Sequence, residues 1–211
     1  PGSESDVSLR ILAEHARRSA SNFTAERNYT QELTNQVNLP KMIKGGLDAS
    51  FFIVYTGQGP LTKEGYDNAY KQAIEKFDAI HRLCEQIAPD KIGLALTAAD
   101  VRKIAASGRK VALIGVENGY PLGDETTAIA RMKEFYDRGG RYMSLAHNGH
   151  SQLSDSNTGE VEGWKWNGLS PLGKQAIAEL NRVGIMIDVS HPSKESMMQT
   201  LQLSKAPIIA S

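Results

Sequence analysis

Three residues able to share one chemical task stand far apart in the chain, each at the end of a short apolar run. Glu117 closes the apolar part of VALIGVENG (111–119), His147 follows the apolar part of RYMSLAHNGH (141–150), and His191 ends that of GIMIDVSHPS (184–193). Carboxylate oxygen and neutral imidazole nitrogen suit zinc and similar ions, so a glutamate and two histidines gathered from separate strands form a candidate metal site. Each residue alone has a plainer explanation. Glu117 reads as a polar residue at a turn, and His191 as a turn histidine beside Pro192. The common position at three run ends favours the metal.

Other chemically able residues read differently. His150 lies deeper in a loop and reads as a surface histidine, while His15 and His81 fall on helical segments as structural residues. Asp155 stays open, as does Asp188, which alternates with Ile187 and so faces away from one core layer, toward a barrel interior where an unpaired carboxylate would be costly. Met197, Met198 and Leu201 read as a core stripe rather than a cofactor box. The single cysteine, Cys84, falls on the apolar stripe of a helix and reads as a small buried residue rather than a nucleophile, which leaves the redox compartment open. No G-x-S-x-G elbow and no P-loop occur, and Gly57-Gln58-Gly59-Pro60 is too short for a dinucleotide fingerprint.

Elements must carry these residues to one place. After a short helical patch over Val7–Arg18 and a polar loop over 19–36, a turn-rich entry (Leu39-Pro40-Lys41-Met42, then Gly45-Gly46) leads to strand ASFFIVYTGQG (49–59). A helix over 62–88 carries Tyr66, Tyr70, Ala73, Ile74, Phe77, His81, Cys84 and Ile87 on one face and is closed by Pro89. Strand KIGLALT (91–97) follows, and Thr97 with Asp100 is a capping-box-like start to a helix ending at Gly108. Strand 111–116 leads to a helix over 124–138 with Ile129, Met132, Phe135 and Tyr136 as its buried stripe, then strand 141–146.

The connection 148–167 is irregular, rich in Gly, Ser, Asn and Asp, and carries both tryptophans. A structureless loop of that length is usually functional or disordered. Ser170-Pro171 then starts a helix that Gly184 ends, and strand 185–190, a helix over 193–203 and strand APIIAS (206–211) complete the chain. Six strands and five intervening helices in strict alternation argue for an α/β fold with parallel strands. An open doubly wound sheet and a (β/α)₈ TIM-type barrel both fit, and ligands at the ends of several strands favour the barrel, incomplete here with about six strands visible. We expect a single, partial barrel domain over 1–211, with 1–35 as an irregular N-terminal segment.

Composition narrows the function. The chain has 211 residues, 40% of them hydrophobic, and Lys plus Arg and Asp plus Glu are both 24. A neutral balance without basic runs among aromatics excludes nucleic acid as the expected partner. No apolar stretch is long enough to span a bilayer, and PGSESDVSLR lacks a signal-peptide apolar core, so we expect a soluble chain whose targeting segment is absent or removed.

Taken together, VALIGVENGYPL, the helix ending in Gly139-Gly140, RYMSLAHNGH, GLSPLGKQAIAELNRVGIMIDVSHPS and KAPIIAS resemble the membrane (renal) dipeptidases, the M19 zinc metallopeptidases of the amidohydrolase superfamily. The resemblance runs from about Gln36 to Ser211 and keeps the order and spacing of the blocks. It implies a (β/α)₈ barrel, a centre of two zinc ions, and hydrolysis of dipeptides through a metal-bridged hydroxide, often with tolerance of a C-terminal D-residue. On this resemblance Glu117 is the carboxylate bridging the metals, His191 a ligand to one of them, and His147 the histidine that contacts substrate and the tetrahedral intermediate. Small peptides are the implied partners, a homodimer is compatible, and a periplasmic or extracellular location is favoured over a cytoplasmic one.

The chain departs from the family pattern. It contains no His-x-Asp pair, and it stops at Ser211, where the family's next histidine ligand would follow. Because a catalytic zinc normally takes three protein ligands, the expectation is a piece of a longer polypeptide with an internal segment also missing. A related amidohydrolase acting on another amide or a lactone, and a non-catalytic barrel that has lost its metals, are the alternatives.

Overall fold

The computed structural model describes residues 37–211. The expected helix over 7–18, the loop over 19–36, the irregular segment 1–35 and His15 lie outside the described residues. Those described group into two compact units, one of residues 37–54 and 74–114, the other of 55–73 and 115–211.

In the first unit the segment read as a turn-rich entry is instead a helix, α1 (Leu39–Lys44). Asn38 caps it, its side chain accepting the Lys41 N–H at 3.0 Å, and Pro40 sits where no amide bond is needed. Strand β1 (Ala49–Tyr55) follows, shorter than the run suggested. Helix α2 (Lys63–Arg82), whose residues up to Ala73 belong to the second unit, continues through a π-helical turn at Leu83–Ile87, and its buried positions Tyr66, Ala69, Ala73, Phe77, Ile80 and Cys84 recur at three and four residues. His81 pairs with Glu85 one turn on, at 2.8 Å.

Strand β2 (Ile92–Leu94) runs parallel to the start of β3 (Lys110–Glu117), with Ile92 opposite Lys110. Between them α3 (Ala98–Ala106) starts at the expected capping box: Thr97 Oγ1 accepts the Asp100 N–H and the Asp100 carboxylate accepts the Thr97 N–H. Ile104 of α3 packs with Ala95 and Val111.

Cys84 is buried, as expected, and burial pushes its thiol up to about 12. Almost no thiolate forms near pH 8, so the native protein should leave a disulfide reagent unconsumed until denaturant is added. Immediate release of one equivalent of chromophore would contradict this burial.

The second unit contains the end of β3, then α4 (Ala128–Asp137), β4 (Gly140–Ser144), α5 (Pro171–Val183), β5 (Met186–Asp188), α6 (Lys194–Leu203) and β6 (Ile208–Ile209). Ser170 caps α5 through the Gly173 N–H, Pro171 opens it, and Gly184 ends it in the left-handed conformation at φ 94°, as the sequence pattern requires. β4 and β5 pair in parallel with Tyr142 opposite Met186, and β5 and β6 with Ile187 opposite Ile208. Within the first unit β1 and β2 each pair with β3, and within the second the strand order is β3-β4-β5-β6. From β3 onward neighbours in the sheet are neighbours in the chain with a helix between each pair, the α/β arrangement of part of a (β/α)₈ barrel. Among the described residues no helix is long and apolar enough to cross a membrane.

Two helix faces differ from expectation. On α4 the buried positions are Ala128, Met132 and Phe135, while Ile129 is 38% exposed, because the packed face is rotated one residue toward the helix start. On α6 the buried residues are Ser196 and Thr200, and Met198 and Leu201 are exposed, so that stripe is not core. Small hydroxyl residues let α6 approach closely: Thr200 Oγ1 donates to the Ser196 carbonyl, and Ser196 Oγ to that of Asp155.

Candidate metal centre

Glu117 is the last residue of β3, and the chain turns sharply after it. Asn118 adopts φ 82°, a left-handed conformation that asparagine tolerates when its side chain is held. Here it is: Nδ2 donates to the Thr56 carbonyl at 3.1 Å and to Gln58 Oε1 at 3.3 Å, and Oδ1 accepts the Tyr120 N–H at 3.1 Å. The Asn118 N–H donates to Ser144 Oγ at 2.9 Å. The glutamate therefore stands at a fixed strand end.

His147 follows β4 after two buried residues, Leu145 and Ala146. His191 follows β5 through Ser190, whose N–H and hydroxyl both donate to Asp188 Oδ1, at 3.0 and 2.6 Å. Asp188, left open by the sequence, is buried and well paired, since Ser211 also donates to it from N–H and Oγ. The costly unpaired carboxylate does not arise.

The three strand ends converge. His147 Nε2 lies 2.9 Å and His191 Nε2 3.0 Å from the same Glu117 oxygen, Oε1. The imidazole centroids are 4.1 Å apart, and one donor atom from each of the three residues falls within 4.8 Å of the others. The side chains of Glu117 and His147 are 13% and 11% exposed, that of His191 31%, so the group is reached from the His191 side. His147 Nδ1 is buried and makes no hydrogen bond among the described residues. Leaving such an atom without a partner costs free energy, and this together with a carboxylate and two imidazoles is a donor set that fits a zinc-type ion.

One neighbour escaped the sequence reading. Tyr55, at the end of β1, sets its ring edge-on to His147 with centroids 4.8 Å apart. Tyr55 also stands at the end of an apolar run, but a phenol is neither the carboxylate nor the imidazole that marks a metal ligand in a sequence.

His150 and Asp155 are not in the trio, but neither is a surface residue. The His150 side chain is 14% exposed and its Nδ1 lies 3.0 Å from Asp155 Oδ1, while Asp155 is fully buried. The connection that holds them is built, not structureless. Isolated bridges join Ser154 to Leu169 and Ser156 to Pro192, Gly159–Glu162 forms a 3₁₀ turn, and the Trp166 indole N–H donates to the Ser151 carbonyl at 2.8 Å.

Comparison with known proteins bears on this site. The family described as membrane dipeptidase (peptidase family M19) matches residues 6–211. Dipeptidase tcpJ of Claviceps purpurea (strain 20.1) is 31% identical over 186 residues, 86% of this chain and 42% of that protein. Dipeptidase 3 of Mus musculus is 33% identical over 187 residues, 88% of this chain and 35% of that protein. The crystal structure of the probable dipeptidase PvdM from Pseudomonas aeruginosa superposes with a TM-score of 0.78 at 25% identity, covering 95% of this chain and 55% of that one. The chain thus spans less than half the length of these two curated relatives.

Proposed function

This chain belongs to peptidase family M19, the membrane dipeptidases, and from that premise we propose that Glu117, His147 and His191 are part of a metal-dependent dipeptidase site. The observation that carries the reading is the meeting of two imidazole nitrogens on one carboxylate oxygen, at 2.9 and 3.0 Å, from three separate strand ends. Glu117 and His191 would hold the metal, for which zinc is the ion their donor atoms suit. The chemistry a zinc ion would supply there is Lewis acidity toward the scissile carbonyl and acidification of water near neutral pH.

The remaining work falls to the protein. His147, pressed between the Tyr55 ring edge and the His191 ring, is fixed in orientation and donates a hydrogen bond to the oxygen that becomes negative during attack. Held in place beforehand, that donor costs no reorganisation at the moment of reaction. The 148–168 connection, anchored at both histidines, walls the site and limits it to small peptides. Exported location and a C-terminal D-residue in the substrate belong to the same reading.

The test is hydrolysis of a dipeptide panel with L- and D-residues at the C-terminus. The intact enzyme should release free amino acids, lose that activity with a chelator, and regain it with zinc. Unchanged turnover after chelation, with no metal left by mass spectrometry, would sink the metal reading. Activity confined to lactones or other amides would move the substrate class while keeping the centre.

A further inference from the structure

The 148–168 connection is organised around Asp155, whose carboxylate is fully buried and accepts four backbone hydrogen bonds. Oδ1 takes the N–H of Lys165 at 3.0 Å and of Trp166 at 3.1 Å, and Oδ2 takes those of Trp166 and Gly168, both at 3.1 Å. His150 Nδ1, which accepts the Ser156 N–H at 3.1 Å, lies 3.0 Å from Oδ1. A buried carboxylate is tolerable only with such a shell, and hydrogen bonds to a charged acceptor are the strong ones.

The backbone of Asp155 is equally engaged. Its N–H donates to the Gly168 carbonyl at 3.0 Å, and its carbonyl accepts the Ser193 N–H at 2.8 Å and Ser196 Oγ at 3.3 Å. The next two residues take hold of both site histidines from behind. Ser156 Oγ donates to the His147 carbonyl, and the Asn157 N–H donates to the His191 carbonyl at 2.9 Å. Ser156 also bridges to Pro192. Two imidazole-bearing residues from different strand ends are therefore clamped by one short piece of chain, and Asp155 pins that piece.

We propose that Asp155 is a positioning residue for the metal centre, setting the spacing of His147 and His191 through the Ser156 hydroxyl and the Asn157 N–H. The proposal rests on the reading of Glu117 and His191 as metal ligands. Buried and saturated with backbone donors, Asp155 acts through the two histidines rather than on substrate. An outer residue that orients ligands typically affects metal affinity by about 10–100-fold.

Cobalt(II) titration of the intact protein tests this, because its visible absorption reports ligand geometry independently of turnover. Asp155→Asn keeps the shape, removes the charge, and sets an amide NH₂ against backbone N–H groups. It should weaken cobalt binding by about 10–100-fold and shift the absorption bands, whereas Phe135→Ala, a core change on α4, should lower the melting temperature and leave the bands in place. If Asp155→Asn fails to fold, Ser156→Ala, which removes only the hydroxyl on the His147 carbonyl, must weaken binding and move the bands. Wild-type affinity and spectrum in the variant that folds would overturn the positioning role alone. A wild-type protein that takes up no cobalt would overturn the metal reading and this proposal together.

Discussion

Glu117→Gln should cut dipeptide turnover by about 10³-fold if the proposed metal role holds, because losing the charge that would hold the metal removes several kcal/mol of transition-state stabilisation. The substitution is nearly isosteric at a residue 13% exposed, and a glutamine oxygen still accepts a hydrogen bond from each imidazole that Oε1 now meets at 2.9 and 3.0 Å. Folding should therefore survive, with a melting temperature close to that of wild type. The two readings of this residue separate cleanly. A carboxylate that only orients His147 and His191 is largely replaced by the amide, so kcat would change little and metal content not at all. A carboxylate that holds metal is not replaced, and both would fall. Steady-state kinetics together with metal analysis of the same sample decides, and wild-type kcat with full metal content would remove Glu117 from the centre.

Gly173→Ala should lower the melting temperature by about 4–8 °C, the shift expected from a net loss of about 2 kcal/mol in a chain of this size. Two effects oppose each other. Alanine is favoured over glycine inside a helix by about 1 kcal/mol, and Gly173 lies in the first turn of α5. Against this, an added Cβ would come within 1.9 Å of the Leu153 carbonyl oxygen. That obstacle is backbone and cannot rotate away, so the cost is at the upper end of overpacking, about 3 kcal/mol. The clash wins. The Leu153 carbonyl already accepts the Ser170 N–H at 2.9 Å, and Ser170 Oγ donates to the Gln152 carbonyl at 2.6 Å, so α5 and the connection leading to Asp155 are joined there by short bonds. A thermal melt as high as wild type would mean that α5 does not lie against this carbonyl.

How far the sequence could be read depended on where the partners of a residue lie. Thr97 with Asp100, and Ser170 with Pro171, announced their helices because each cap bonds within three residues of itself, and local bonds leave local patterns. Apolar strands showed for a similar reason, and with them the ends at Glu117, His147 and His191. Periodicity settles that a helix has an apolar stripe but not which shoulder of it meets the sheet, and so Ile129, Met198 and Leu201 read as core in the sequence and are exposed in the fold.

The amino-acid order was thus enough for the alternation of strand and helix, the caps, and the three residues that meet at the strand ends, because side-chain type and spacing encode all three. It did not contain the convergence of three strand ends on one oxygen, which depends on how β3, β4 and β5 pair in register. Nor did it contain the role of Asp155. Lys165, Trp166 and Gly168 meet that carboxylate through their backbone N–H groups. A backbone amide is common to every residue but proline, so its use leaves no mark in the sequence and appears only when the chain is folded.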